Sequence, residues 1–472
     1  MILALFCILS KTVYVTNQKN YYSIFKQLLT LAWPIILAFV MQTSYNIVDI
    51  FWVGKLGATA IAAVSLAGTI FYVILAVGQV IGSGTVALVA QSFGAQLRDE
   101  ANNVVRQSLV LASAIALFVC IIGFLFSHQI MMLLGGRGEV LMLSTNYLRI
   151  VFIGFLFQIL SFSINYAFRG AGDMKTPMLI MLVATTLNII LDPLLILGIG
   201  FFPRLEVQGA AIATAIAKCA SFVVGFIILA RGKSGIQLRF LDHWRFEVRV
   251  VKTILGVGIP VGISYGLMAL SGMAVFRIVA LFSEYALAAL GIGLRILQLA
   301  SLPVVSIGIA TTTMVGQSFG ARDDKRAVQI GAIATAFSTA IMILCGIVFI
   351  TNARSLVTIF TDNMQVLQYG TQFLKIVSLY LVFVGITTSL TGVFRGAGDT
   401  LPPMFAGLLK VFLLVIVALF FSRTLEMGVI GIWWAMFISY GIEMVTVAAW
   451  YATGRWRKRG LALLSHLKPA GA

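Results

Sequence analysis

Charge is scarce in this chain, and acid is scarcer than base. Only 10% of its 472 residues are Asp, Glu, Lys or Arg, with 16 acids against 33 bases. Soluble globular domains carry roughly 25% charged residues, so a soluble fold is excluded for most of the length. Histidine is nearly missing. His128, His243 and His466 fall at the ends of apolar runs or between them, so none stands mid-run to relay protons. The four cysteines, Cys7, Cys120, Cys219 and Cys345, share no metal or redox spacing. They read as small apolar residues in helices, and no metal centre is expected. Paired histidines, a Ser–Lys pair and an Asp-rich diphosphate motif are also lacking, which argues against a membrane-embedded enzyme. No filter-like loop repeats, which argues against a channel.

What is abundant is hydrocarbon. Hydrophobic residues make up 60% of the chain. Apolar stretches long enough to cross a bilayer follow one another from end to end. Twelve are predicted: 28–53, 61–91, 104–127, 141–168, 177–201, 208–230, 252–282, 287–317, 327–351, 367–393, 402–422 and 428–451. The fold class expected is therefore an all-α polytopic membrane protein.

The formal net charge of +17 might point to nucleic acid, but the placement of the bases argues otherwise. Lys11, Lys19 and Lys26 precede the first span. Arg98 and Arg106 follow the second, and Arg169 and Lys175 the fourth. Arg231, Lys233, Arg239, Arg245, Arg249 and Lys252 fill the middle, and Arg455, Arg457, Lys458 and Arg459 close the last span. Cytoplasmic loops carry excess Lys and Arg, so both termini are expected in the cytoplasm, and no nucleic-acid partner is expected. Residues 1–9 are apolar but lack a basic n-region and a small-residue cleavage site, so no signal peptide is expected.

The chain also repeats itself at a constant offset of 226 positions. Phe168-Arg169-Gly170-Ala171-Gly172-Asp173 returns as Phe394-Arg395-Gly396-Ala397-Gly398-Asp399. Gln91-Ser92-Phe93-Gly94-Ala95 returns as Gln317-Ser318-Phe319-Gly320-Ala321. Pro34 and Pro177 match Pro260 and Pro403. Two units of six spans each have the same orientation, the parallel-repeat plan of many secondary transporters. The organisation expected is a cytoplasmic segment at 1–23, a first lobe at 24–230, a linker at 231–251, a second lobe at 252–451 and a basic tail at 452–472. The Arg-Gly-Ala-Gly-Asp turns read as braces between helices. They lack the Lys-Ser/Thr of a phosphate loop.

A duplicated scaffold should match, and function should break the match. Ionisable residues inside spans are costly and mark function by default. The first half carries Asp49 on span 1 and Asp192 on span 5, whose counterparts are Val275 and Ala418. Gln42, Asn46 and Asp49 share one helical face, as do Thr185, Asn188 and Asp192. Both acids are expected in the outer half of the bilayer, where they can share a cavity. A desolvated carboxylate can load a proton, and oxygen ligands can equally hold Na+. Lys218, one turn after Thr214 on span 6, is a candidate ion-pair partner for Asp192. Lys410 is expected to snorkel toward the cytoplasm. Arg295 is a candidate for a central cleft. Arg149 and Lys375 match each other and read as scaffold.

These residues resemble the multidrug and toxic compound extrusion (MATE) family, from about residue 24 to 455. The resemblance rests on Trp33-Pro34, Asp49 followed by Phe51-Trp52-Val53-Gly54, both repeated segments, Leu187-Asn188-Ile189-Ile190-Leu191-Asp192-Pro193, and Gly209-Ala210-Ala211-Ile212-Ala213-Thr214. It is closest to the bacterial DinF-like branch. It implies two pseudo-symmetric six-helix lobes in a V, alternating access, and drug antiport driven by H+ or Na+ with no cofactor. The implied coupling site is Asp49, Asn188, Asp192 and Thr214, also the candidate Na+ ligands. The implied substrate cavity takes Gln42, Tyr45 and Asn165, to which Asn46, Lys218, Met268 and Arg295 are added. Met268 stands where other branches carry an acid. Pro34 is the implied bend of helix 1. Small lipophilic substrates, membrane lipid as surroundings, a monomer, and the bacterial inner membrane are the remaining expectations. The alternative is a flippase for a lipid-linked or anionic lipid, favoured only by Arg295.

Overall fold

The computed structural model describes residues 18–200, 202–238 and 246–464. Parts of the 1–23 segment, the linker and the tail, with Cys7, His243 and His466, lie outside the described residues. Among those described, every regular element is helical, and twelve helices are long and apolar enough to cross a membrane. In order they are Tyr21–Gly54, Ala58–Gly94, Arg98–Leu133, Gly138–Gly170, Lys175–Leu197, Glu206–Ala230, Val248–Ala280, Glu284–Gly320, Asp324–Thr358, Met364–Gly396, Leu401–Thr424 and Gly428–Ala452. They are called spans 1 to 12. Most run a few residues past the apolar windows, because polar residues continue a helix once it leaves hydrocarbon. Span 5 falls furthest short. It stops at Leu197, where Gly198 takes φ 73° and ends the helix in the left-handed conformation.

The repeated turns share one geometry. The Asp173 N–H donates to the Phe168 carbonyl at 2.9 Å, and the Asp399 N–H to the Phe394 carbonyl at 2.9 Å. Gly172 at φ 88° and Gly398 at φ 72° supply the left-handed residue that such a helix end needs. The turns then diverge. Asp173 caps span 5 by accepting from the Thr176 N–H at 2.9 Å and the Thr176 hydroxyl at 2.6 Å. It also accepts from Ser234 in the linker. Pro402 stands where Thr176 would be, and it has no N–H to give.

The chain forms two compact units. One joins the helix through Ala32 to the residues from Ile263 onward; the other holds Trp33–Gly262. The division therefore runs through spans 1 and 7, beside Pro34 and Pro260, rather than through the linker. In the first unit Ile24, Leu28 and Ala32 pack in a core with Phe319, Phe394 and Trp456. Trp456 opens a short helix, Arg455–Leu464, and stacks on Tyr451 at 5.1 Å. In the second unit the start of span 7 crosses span 2 with the backbones almost touching. A Cβ on Gly258 would lie 1.8 Å from the Val80 carbonyl oxygen, and one on Gly84 2.3 Å from that of Ile254. Small residues allow such close helix packing where lipid gives no hydrophobic drive.

Candidate functional site

Four spans of the Trp33–Gly262 unit bring the symmetry-breaking residues together. Asp49 lies five residues before the end of span 1 at Gly54, and Asp192 five residues before the end of span 5 at Leu197. At 1.5 Å per residue both sit about 8 Å from their helix ends. The apolar run predicted at 177–201 continues past the Gly198 stop, so Asp192 is nearer its helix end than that run implies. The Asp49 carboxyl lies within Coulombic reach of Asp192. Tyr147, on span 4, feels both.

Asn188 and Asp192 are wholly buried. The Asn188 amide donates to Asp192 Oδ1 at 3.0 Å. Pro193 follows at once and removes the N–H that would reach the Ile189 carbonyl, freeing one more acceptor beside the acid. Tyr45 Oη and Thr214 Oγ1 share a hydrogen bond of 2.9 Å. Several buried oxygens in this unit have no protein donor: Asp49 Oδ1, Asp192 Oδ2, Asn188 Oδ1 and Thr185 Oγ1. A buried acceptor left unmet costs about 1–3 kcal/mol, and more when charged. The unmet atoms of the group are all oxygens, two of them on carboxyls, so what they can bind is a proton or a small cation.

Lys218 does not pair with Asp192. It is buried, and its Nζ lies 5.2 Å from the centre of the Tyr45 ring. The hydroxyl end of Tyr45 reaches Thr214, so its ring underlies the next turn, where Lys218 sits. Helical spacing put Lys218 on the face of Thr214, but its ammonium stands over the ring of another helix. With both acids ionised and Lys218 protonated, the group carries one net negative charge.

The other expected cavity residues make contacts of their own or lie in the other unit. Gln42 donates to Asn46 at 3.2 Å, and both stay on span 1. The Asn165 amide reaches Ser161 at 3.4 Å, and Ser161 bonds Ser221 at 2.9 Å, a separate hydroxyl network. Met268, 59% exposed, and Arg295, also exposed, belong to the other unit. Pro34 lies inside an unbroken helix. Lys410 does not snorkel: it pairs with Glu443 at 2.8 Å, because span 12 presents a carboxylate at its depth.

Sequence reasoning passed over Tyr147 and Glu443. The offset held the signal for the tyrosine. Its counterpart is Phe373, so the hydroxyl exists only in the half that carries the acids. At the rim, Asp173 lies outside the spans. Burial pushes its carboxyl up, but the Ser234 and Thr176 hydrogen bonds outweigh burial and hold it below the usual range. Asp399 has no such cap, and burial raises it despite Arg459.

A family model described as MatE matches residues 34–194 and 260–421, the two segments starting 226 positions apart (260 − 34). The chain belongs to the MatE family. Among MatE relatives, the probable multidrug resistance protein YoeA of Bacillus subtilis (strain 168) is 28% identical over 457 residues, covering 95% of this chain and 98% of that protein. Multidrug export protein MepA of Staphylococcus aureus (strain MRSA252) is 27% identical, covering 88% and 91%. A solved structure described as the outward-facing conformation of a multidrug resistance MATE family transporter superposes with a TM-score of 0.85 at 24% identity, over 93% of this chain and 96% of that one. The MatE assignment makes this chain a multi-pass membrane transporter and not an enzyme.

Proposed function

We propose that this MatE-family chain is a cation-coupled antiporter that exports lipophilic, mostly cationic drugs or metabolites across the bacterial cytoplasmic membrane by alternating access. The names of its relatives, a multidrug resistance protein and a multidrug export protein, support the export of drugs. The observation that carries the coupling is the Asp49–Asp192 pair with its unmet buried oxygens.

The physical cycle follows from charge. Two ionised carboxyls at one depth repel, and Lys218 compensates only one. One H+ or Na+ neutralises the remainder and lets spans 1 and 5 approach. Asn188 steadies Asp192 through its amide while its carbonyl stays open to a cation. Tyr45 and Thr214 tie span 1 to span 6, so movement of span 1 is felt at both. Exchange requires that ion and substrate favour different conformations, since a ligand with equal affinity for both shifts nothing.

The test is ethidium transport in reconstituted vesicles, with a pH gradient and a Na+ gradient imposed separately. Transport driven by one gradient and lost in Asp192→Asn is expected. Full gradient-driven transport by a folded Asp192→Asn protein would remove the assignment.

A further inference from the structure

The unit that includes the residues from Ile263 onward holds a buried ion pair that this cycle does not use. Lys410 on span 11 and Glu443 on span 12 meet with Nζ 2.8 Å from Oε2, their side chains only 13% and 12% exposed. Each lies nine residues from a helix end, Leu401 and Ala452 respectively. That is about 14 Å into the membrane from the end that carries the Arg-Gly-Ala-Gly-Asp turns. The Lys410 ammonium also stands 4.6 Å from the ring centre of Tyr440. Tyr440 stacks on Tyr380 of span 10 with centroids 4.5 Å apart and planes 7° from parallel. Phe383 and Phe437, 5.3 Å apart, join the same core.

This group is not inherited scaffold. At the 226 offset Lys410, Glu443, Tyr440 and Tyr380 correspond to Ala184, Ala217, Thr214 and Gly154. Nor does it earn its place by stability: a buried ion pair is often no better than an apolar pair of the same volume. Charges inside a span default to a functional reading.

We propose that Glu443, Tyr440 and Tyr380 form a binding site for a lipophilic organic cation, filled by the tethered Lys410 ammonium until a ligand displaces it. A carboxylate beside an aromatic face is the chemistry that recognises ammonium and phosphonium ions. Lys410 already makes both contacts. Filled in this way the site is neutral, so it attracts no bare cation. A ligand must bring enough greasy surface against the tyrosines to dislodge the lysine, whose flexible stem can carry the charge toward water. The site rests on the export reading only for the class of its ligand.

The experiment measures tetraphenylphosphonium binding to the purified full chain in lipid nanodiscs, with no ion gradient. Coupled transport can therefore fail without touching the result. Lys410→Met removes the competitor and is expected to tighten binding about tenfold, the scale of one charged contact. Glu443→Gln in that background should erase the gain. Tetraphenylborate, of the same shape and opposite charge, should gain nothing. Lys410→Arg keeps the pair and the fold. Its guanidinium holds a carboxylate at two points, so it should weaken tetraphenylphosphonium binding below wild type. The proposal falls if folded Lys410→Met binds as wild type does, if the gain survives Glu443→Gln, or if tetraphenylborate shares it. Should Lys410→Met not fold, unchanged binding by Lys410→Arg overturns it.

Discussion

Gly258→Ala adds one methyl group at the crossing of spans 2 and 7. The new Cβ would lie 1.8 Å from the Val80 carbonyl oxygen and 2.7 Å from its carbon. A carbon rests at about 3.3 Å from a carbonyl oxygen, so the two backbones must part by roughly 1.5 Å. No rotamer relieves the clash, because the obstacle is main chain. Overpacking of this kind costs about 1–3 kcal/mol or more, and the better helix propensity of alanine returns up to about 1 kcal/mol. A net loss of about 2 kcal/mol is expected. Gly256, two residues earlier on the same helix, has nothing within 4 Å of its would-be Cβ. Gly256→Ala should therefore gain about 0.5–1 kcal/mol. Melting temperatures of the three proteins, purified in one detergent, give the order Gly256→Ala, wild type, Gly258→Ala. The reasoning is refuted if Gly258→Ala melts at or above wild type while Gly84→Ala, aimed at the Ile254 carbonyl 2.3 Å away, does the same.

Other outcomes follow from the caps and the site. The Asp173 carboxyl is held below the usual range by its hydrogen bonds, so its stabilisation is present above the unfolded value near 4 and is lost as pH falls through the lower folded value. Asp173→Ala should cost about 1 kcal/mol at neutral pH, the worth of a helix cap. The gap in melting temperature should close in strong acid, and a constant gap would contradict the cap. Asp399 has the opposite sign: burial raises it, so its ionisation opposes folding at neutral pH. Asp399→Asn should melt no lower than wild type at pH 7, with wild type gaining on it as pH falls toward 4; a clear loss at pH 7 would show an unrecognised partner. Tyr147→Phe copies the second half, where Phe373 stands. It should fold as wild type and shift the ion-concentration dependence of transport, and an unaltered dependence would separate that hydroxyl from the acids. Met268→Ala should leave coupling intact.

Much of this molecule was legible without coordinates, and the reason is that the bilayer imposes a one-dimensional rule. A span must be apolar over a fixed length with its backbone bonded within itself, so runs of hydrocarbon announce helices one by one. The fixed offset of 226 then revealed the duplication, and departures from it marked Asp49 and Asp192, to which the family resemblance added Asn188 and Thr214. What the chain order did not contain was the axial register and rotation of each helix against its neighbours. Those decide which charge meets which. Lys218 shares a helical face with Thr214, yet it lies over the Tyr45 ring and not against Asp192. Lys410 looked free to reach water until span 12 set Glu443 beside it. The apolar run around Asp192 continues to 201, yet Gly198 ends its helix five residues after the acid. Local chemistry and periodicity are properties of sequence. The pairing of side chains on different helices depends on backbone approach, down to the near contact that glycine allows between Gly258 and Val80, and only the tertiary structure decides it.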